Sequence, residues 1–274
     1  MQIVIVGNGI AGISAASVIR GCNKKVSITL ISKELTPAYS ACVLANYISG
    51  ETDRNRVFIR SVDDYSKENI VTEFGVEVEG IDIKSMRIYT RRKKLPCDKL
   101  ILATGGLPLI PWIEGHPSRG IFTIKTMEDA DRIIAHRPKK VIVVGSGPIG
   151  IEIAAALRKR GCEIYLVELE ERILPSLFDE RSSSLIQTIL EENGIKVLTS
   201  ERVLSFLGRD NVYGIITNKQ KIYCDTVIMA AGMYPNAELA KQVGCIEIGK
   251  GGAIRVDAGM KTSVENVFAC GDCV

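Results

Sequence analysis

The chain has 274 residues, 46% apolar and 24% charged, with a formal net charge of +3. This balance suits a folded chain with a sizeable core, and it excludes disorder and collagen-like architecture. The length suggests two domains. So small a charge gives no nucleic-acid footprint, and no stretch approaches the ~18 consecutive apolar residues of a membrane span.

The first residues, MQIVIVGNG, enter a strand and a glycine loop at once, with no basic segment or cleavage site ahead of them. The expected location is therefore the cytoplasm. Gly7-Asn8-Gly9-Ile10-Ala11-Gly12 follows the apolar run Ile3–Val6, and a helix-length stretch and a second strand, Val26–Ile31, come after it. Alternating residues over Val76–Lys94 predict antiparallel strands, with the basic run Arg91–Lys94 as a solvated hairpin turn. Leu100–Ala103 is another apolar strand, closed by Thr104-Gly105-Gly106, and a Pro-rich stretch, 107–117, reads as a linker.

The opening pattern then recurs 138 positions on, as Val141–Val144 followed by Gly145-Ser146-Gly147-Pro148-Ile149-Gly150 and the strand Glu163–Glu168. Continuous apolar runs of this kind suit parallel strands buried on both faces, so the chain holds two βαβ units. A helix around Ser182–Glu192, a strand at Ile195–Leu198, a ladder over Arg202–Lys221 and a strand at Val227–Ala231 ending in Gly232 complete the pattern. A Tyr234-Pro235-Asn236 turn precedes the closing stretch, Val267–Val274.

Each glycine loop lies between a strand and a helix, where the first glycine turns the chain. The second admits the backbone to a pyrophosphate, and the third lets helix and strand pack closely. Two copies predict two dinucleotide sites. Glu168 stands 18 residues beyond Gly150, where an acid suits a ribose 2′-hydroxyl and repels a 2′-phosphate, so the second site should prefer NADH. The first unit has Ser32-Lys33-Glu34 at that place; either Glu34 takes the ribose contact, or Ser32 and the backbone suffice.

GNGIAG, LILATGGLP, GSGPIGIE, AAGMYPN and TSVENVFACGDC, in this order, resemble the two-dinucleotide-domain flavoprotein disulfide reductases over essentially the whole chain. The resemblance implies an α/β fold of two Rossmann-like domains, with the NAD domain (109–236) inserted into an FAD domain (1–108 and 237–274). It implies FAD on the first loop (Gly7, Gly9, Ile10, Ala11, Gly12) and NADH on the second (Gly145, Gly147, Ile149, Gly150), with Gly232 a further cofactor-binding residue. By the same match Asp272 binds the flavin's ribitol hydroxyls and Val78 meets the adenine through its backbone. Thr104 and Gly105 line the crossing between domains, and Ala103 beside them is a further cofactor-binding residue.

No CxxxxC pair occurs; Tyr39–Gly50, with Cys42, resembles instead the single-cysteine branch of NADH oxidases, peroxidases and coenzyme A disulfide or persulfide reductases. A thiol at a helix N-terminus is favoured as thiolate by the dipole and unpaired N–H groups. Cys42 is accordingly read as redox-active, against the alternative of a small packing residue. The first loop lacks the histidine of the peroxidase type, and Pro148 stands where some relatives have a gating tyrosine. Glu152 is read either as an orienting residue, paired with a lysine near the flavin, or as a helix-start acid. Cys270 and Cys273 form a CxxC read as structural thiols, and no metal site is expected. Cys22, Cys97, Cys162, Cys224 and Cys245 are read as core, and His116 and His136 as surface or structural.

These features predict an FAD-dependent NADH oxidoreductase passing electrons through Cys42 to a disulfide, persulfide, polysulfide or dioxygen. The alternatives are a rubredoxin, ferredoxin or nitrite reductase-type electron-transfer flavoprotein without a thiol step, or a nucleotide-binding fragment or subunit of a larger complex. The expected partner is a small-molecule or small redox-protein acceptor. The resemblance also implies that the chain is either a portion of a three-domain protein, usually a homodimer when complete, or a genuine short form, and in either case this chain could be monomeric.

Overall fold

Both predicted βαβ units form in the computed structural model, which describes residues 1–115, 117 and 119–274. His116 lies outside the described residues. Two compact units emerge, one of residues 1–40, 58–107 and 234–274, the other of residues 41–57 and 108–233.

The first unit is built on a five-stranded parallel sheet in the order Val267–Ala269, Lys99–Leu102, Gln2–Val6, Ser27–Ser32, Ile70–Phe74. Alternate side chains of Gln2–Val6 enter different cores, as the two-residue period of a strand requires. Ile3 and Ile5 pack with Ile13 and Ala16 of the helix Ile10–Cys22 and with Tyr65. Val4 and Val6 pack with Val78 and Ile88 of a three-stranded antiparallel sheet, and with Ala240 of the helix Glu238–Val243. Covering both faces explains why this strand has no polar alternation. The predicted basic hairpin is the turn between Arg87–Thr90 and Lys94–Pro96.

The second unit repeats the design, in the order Ile195–Leu198, Glu163–Val167, Lys140–Val144, Thr226–Met229, Ile121–Thr123, all parallel. Its central strand is covered by the helix Pro148–Lys159, which buries Ile153, Ala154 and Leu157. Ile142 packs with Phe206, Ile215 and Ile222 of the antiparallel strands Val203–Leu207, Gly214–Thr217 and Lys221–Tyr223.

The units divide at 107/108 and 233/234, close to the turns read from the sequence as 108/109 and 236/237. One segment differs more. Residues 41–57, left in the first domain by the sequence reading, pack with the second unit. Leu44 and Ile48 of the helix Leu44–Ser49 are buried, and this helix packs on Met127–His136 and Pro148–Lys159. The strand Ile70–Phe74 and the helices Met127–His136 and Glu238–Val243 were not anticipated. The predicted helix at Ser182 starts earlier, at Glu180, because the Asp179 side chain caps it by accepting from the Ser182 N–H.

Leu100 is fully enclosed between neighbouring strands, whereas Val71 is 57% exposed on the edge strand. Leu100→Ala should lower unfolding stability by about 2–5 kcal/mol, and Val71→Ala by no more than about 0.5 kcal/mol. Urea unfolding of the two variants checks this.

Candidate functional site

The glycines of each loop divide into two kinds. Gly7 has φ +117°, and a Cβ built on it falls 2.0 Å from the Ala103 carbonyl oxygen. A Cβ on Gly12 falls 2.0 Å from the Gly7 oxygen. The second loop matches: Gly145, at φ +104°, would place its Cβ 2.4 Å from the Ala230 oxygen, and Gly150 would place its own 2.0 Å from the Gly145 oxygen. Packing within the chain therefore requires glycine at these four positions.

Gly9 and Gly147 are different. Their φ angles, −76° and −67°, are open to any residue, and a Cβ at either would meet nothing within 4 Å. Internal packing does not require glycine at either position, and the space beside each is open to a closely approaching group. Each is the N-cap of a long helix, Ile10–Cys22 or Pro148–Lys159, and neither helix has a side-chain cap. The first-turn N–H groups and the positive end of the helix dipole thus face the open space, an arrangement suited to a diphosphate.

Around the first loop, Asn8 is held from both ends. Its Oδ1 accepts from Tyr65 Oη at 2.7 Å and its Nδ2 donates to the Thr36 carbonyl at 3.3 Å. A Cβ on Gly271 would lie 2.8 Å from that of Ala11, so the turn carrying exposed Asp272 rests on the first turn of the helix. Ala103 donates its N–H to Val6. Thr104 Oγ1 donates to the Asn236 carbonyl at 2.6 Å, and Asn236 N–H donates to Gly105. Val78 is buried at the start of the strand Val78–Asp82.

The strand register identifies the counterpart of Glu168. Val6 pairs with Ile31 and Val144 with Val167, so the matching residue in the first unit is Ser32. Ser32 Oγ accepts from the Glu34 N–H at 3.2 Å, Lys33 is exposed, and the Glu34 carboxylate accepts from Tyr39 Oη at 2.7 Å.

Glu168 is already committed within its own unit. Its Oε2 accepts from the Ser146 N–H at 2.8 Å and the Ser146 hydroxyl at 2.5 Å, and its Oε1 accepts from the Glu170 N–H at 3.0 Å. Ser146 is fully buried and Glu168 is 8% exposed. A carboxylate has about four acceptor sites, so about one is left for a ribose hydroxyl. Sequence reasoning saw the acid but not its tie to Ser146. Ile149 is exposed in the first turn, and Gly232, at φ +119°, accepts from the Leu109 N–H. Glu152 is exposed one turn further on and has no ion pair with a lysine among the described residues.

Cys42 is exposed in a 3₁₀ turn, Ala41–Val43, directly ahead of Leu44–Ser49. The sequence placed it at the helix start itself; the extra turn intervenes. Burial pushes the Cys97 thiol up to about 11 and that of Cys224 up to about 12, and it raises those of Cys162 and Cys270 as well. Cys273 donates to the Leu102 and Cys270 carbonyls. Cys22 and Cys245 are exposed, correcting their reading as core residues. Cys22 ends its helix at the solvent side, and Cys245 follows the Gly244 that stops Glu238–Val243. His136 closes Met127–His136, with its ring against Phe122. No group of His, Cys, Asp and Glu suited to a metal occurs among the described residues, and no helix of theirs is long and apolar enough to cross a membrane.

Two parallel sheets, each feeding a glycine loop and an uncapped helix, define a pair of Rossmann-type dinucleotide-binding units. The chain belongs to the pyridine nucleotide-disulphide oxidoreductase family, which it matches over residues 1–274. It is 38% identical to an NADH oxidase of Methanocaldococcus jannaschii, over 100% of this chain and 63% of that protein. It is 31% identical to a CoA-dependent NAD(P)H sulfur oxidoreductase of Pyrococcus furiosus, over 99% of this chain and 62% of the relative. Among solved structures, a NAD-dependent persulfide reductase from A. fulgidus superposes with a TM-score of 0.95 at 32% identity, over 100% of this chain and 53% of the other. The chain thus spans somewhat more than half the length of these relatives.

Gly150→Ala drives a methyl group into the Gly145 carbonyl and should cost about 1–3 kcal/mol or more. Gly147→Ala changes only a helix cap and should cost about 1 kcal/mol at most. Equal losses in urea unfolding would contradict this division of the glycines.

Proposed function

We propose that the chain is the nucleotide-binding portion of an FAD-dependent NADH oxidoreductase, with FAD on Gly7–Gly12 and NADH on Gly145–Gly150. The observation that carries this is the pair Gly9 and Gly147, N-cap glycines beside open space that leave room for a closely approaching diphosphate. The names of the relatives, NADH oxidase, sulfur oxidoreductase and persulfide reductase, agree with it.

The fit to FAD rests on the first loop. The N–H groups at the start of Ile10–Cys22 would hold the diphosphate, and Ser32, Lys33 and Glu34 would face the ribose. The backbone of Val78 would meet the adenine, Ala103, Thr104 and Gly105 would line the flavin side, and the Asp272 carboxylate would accept from polyol hydroxyls. FAD, when bound, supplies a two-electron acceptor for the hydride of NADH. The second loop would hold NADH in the same way, with Ile149 beside the nucleotide and Gly232 keeping the opposite wall low. The negative charge of Glu168 would disfavour the 2′-phosphate of NADPH.

Cys42 carries the electrons out. Its sulfur attacks one sulfur of a disulfide, persulfide or polysulfide, breaking that bond and releasing the other sulfur as a thiol or sulfide. The two electrons from one NADH, with a proton, return the resulting mixed disulfide to two thiols, or a resulting persulfide on Cys42 to one thiol and sulfide. A solvent-exposed thiol is accessible for this exchange, whereas the buried thiols with raised pKa are not. The acceptor is a small molecule or a small redox protein, and the cytoplasm suits a thiol kept reduced between turnovers.

Steady-state NADH oxidation with polysulfide, coenzyme A disulfide and oxygen tests the assignment in the FAD-loaded protein. Cys42→Ser should lower sulfur-dependent turnover on the order of 100-fold or more, the scale of loss of a nucleophile. Unchanged turnover of the sulfur substrates would remove Cys42 from the reaction and favour direct electron transfer.

A further inference from the structure

The segment bearing Cys42 is fastened to the second unit at three places. Tyr47 Oη donates to Asp131 Oδ1 at 2.7 Å. Arg54 reaches the same carboxylate through Nε, at 3.3 Å, and Nη2, at 3.0 Å. Lys159, near the end of Pro148–Lys159, donates to Glu51 at 2.6 Å. Between these ties, buried Leu44 and Ile48 seat the short helix against its neighbours.

The ties are not equal. The Glu51–Lys159 pair is largely exposed, and such pairs contribute little. The Arg54–Asp131 pair is also partly exposed, at 44% and 37%, so its advantage lies in geometry. Asp131 serves two partners, one of them through two N–H groups, which fixes direction as well as distance. Burial works against its ionisation, but Arg54 and Tyr47 outweigh burial and hold the carboxyl below its usual range. Burial, followed by the bond to Asp131, raises the Tyr47 phenol, which therefore stays a donor. Asp131 itself stands on a helix whose start is fixed by a reciprocal cap between Thr126 and Asp129. Its partners are 84 and 77 residues away in the chain.

We propose that Asp131 is a positioning residue for the Cys42 thiol, holding its segment through Tyr47 and Arg54 onto the unit that carries the second glycine loop. This rests on the redox reading of Cys42. The helix Pro148–Lys159 opens with Pro148 beside Gly147 and bears the Cys42 segment on its flank, so one rigid element supports both.

Amide hydrogen exchange and steady-state kinetics on Asp131→Ala, with Asp131→Glu as the conservative partner, test the proposal in the full chain. Exchange across residues 41–57 should quicken several-fold, while the strands Lys140–Val144 and Glu163–Val167 keep their protection. The kcat for a polysulfide should fall several-fold at an unchanged KM for NADH, and Asp131→Glu should recover part of it. Unchanged exchange over 41–57 would overturn the anchor, and equal quickening in the two strands would show that Asp131 supports the whole unit instead. Quickened exchange with undiminished sulfur turnover would overturn the positioning role. Failure of the thiol reading itself is seen separately, as full sulfur turnover in Cys42→Ser.

Discussion

The two candidate sites depend on one close contact, the approach of each first loop glycine to the carbonyl of a neighbouring strand. Gly7 lies against Ala103, and Gly145 against Ala230, at separations where no side chain fits. That approach turns the chain sharply off the central strand, and Gly12 or Gly150 then packs the helix back onto the turn it has just made. The helix start is thereby aimed over the carboxyl end of the sheet, where open α/β folds place their ligands. What remains unfilled is the space above the middle glycine, and both units leave it open.

The same backbone is locked by different side chains. In the first loop Asn8 is gripped by Tyr65 and the Thr36 carbonyl; in the second, Ser146 is gripped by Glu168. Glu168 is therefore a brace for the loop, and in the proposed NADH site it would also be a charge facing the nucleotide. The counterpart of Glu168 by strand register is Ser32, so the first site lacks an acid in that place. Two loops of nearly identical shape thus carry different charge at matching positions, a physical basis on which the proposed sites would accept different dinucleotides.

Much of this was legible in the sequence because it is local. The apolar strands, the two glycine triplets and the offset between them are written within short windows, and the parallel sheets followed. The split of the glycines into packing and open positions was not legible, because it depends on the carbonyls of Ala103 and Ala230, some 85–96 residues downstream. The tie of Ser146 to Glu168 spans 22 residues and lacks any periodic signal. The placement of residues 41–57 was missed for the same reason, since only the fold brings Tyr47 and Arg54 to Asp131. Cys22 and Cys245 were misread because a cysteine beside a strand or helix looks buried, whereas exposure is decided by which end of the element meets solvent.

Equilibrium binding of FAD and of NADH to the wild-type chain, Gly9→Ala and Gly147→Ala tests the account most directly. Gly9→Ala should lose FAD affinity and keep NADH binding, and Gly147→Ala should do the reverse, both with the fold intact. Retention of both affinities in both variants would contradict the assignment of the open glycines to dinucleotide ligands.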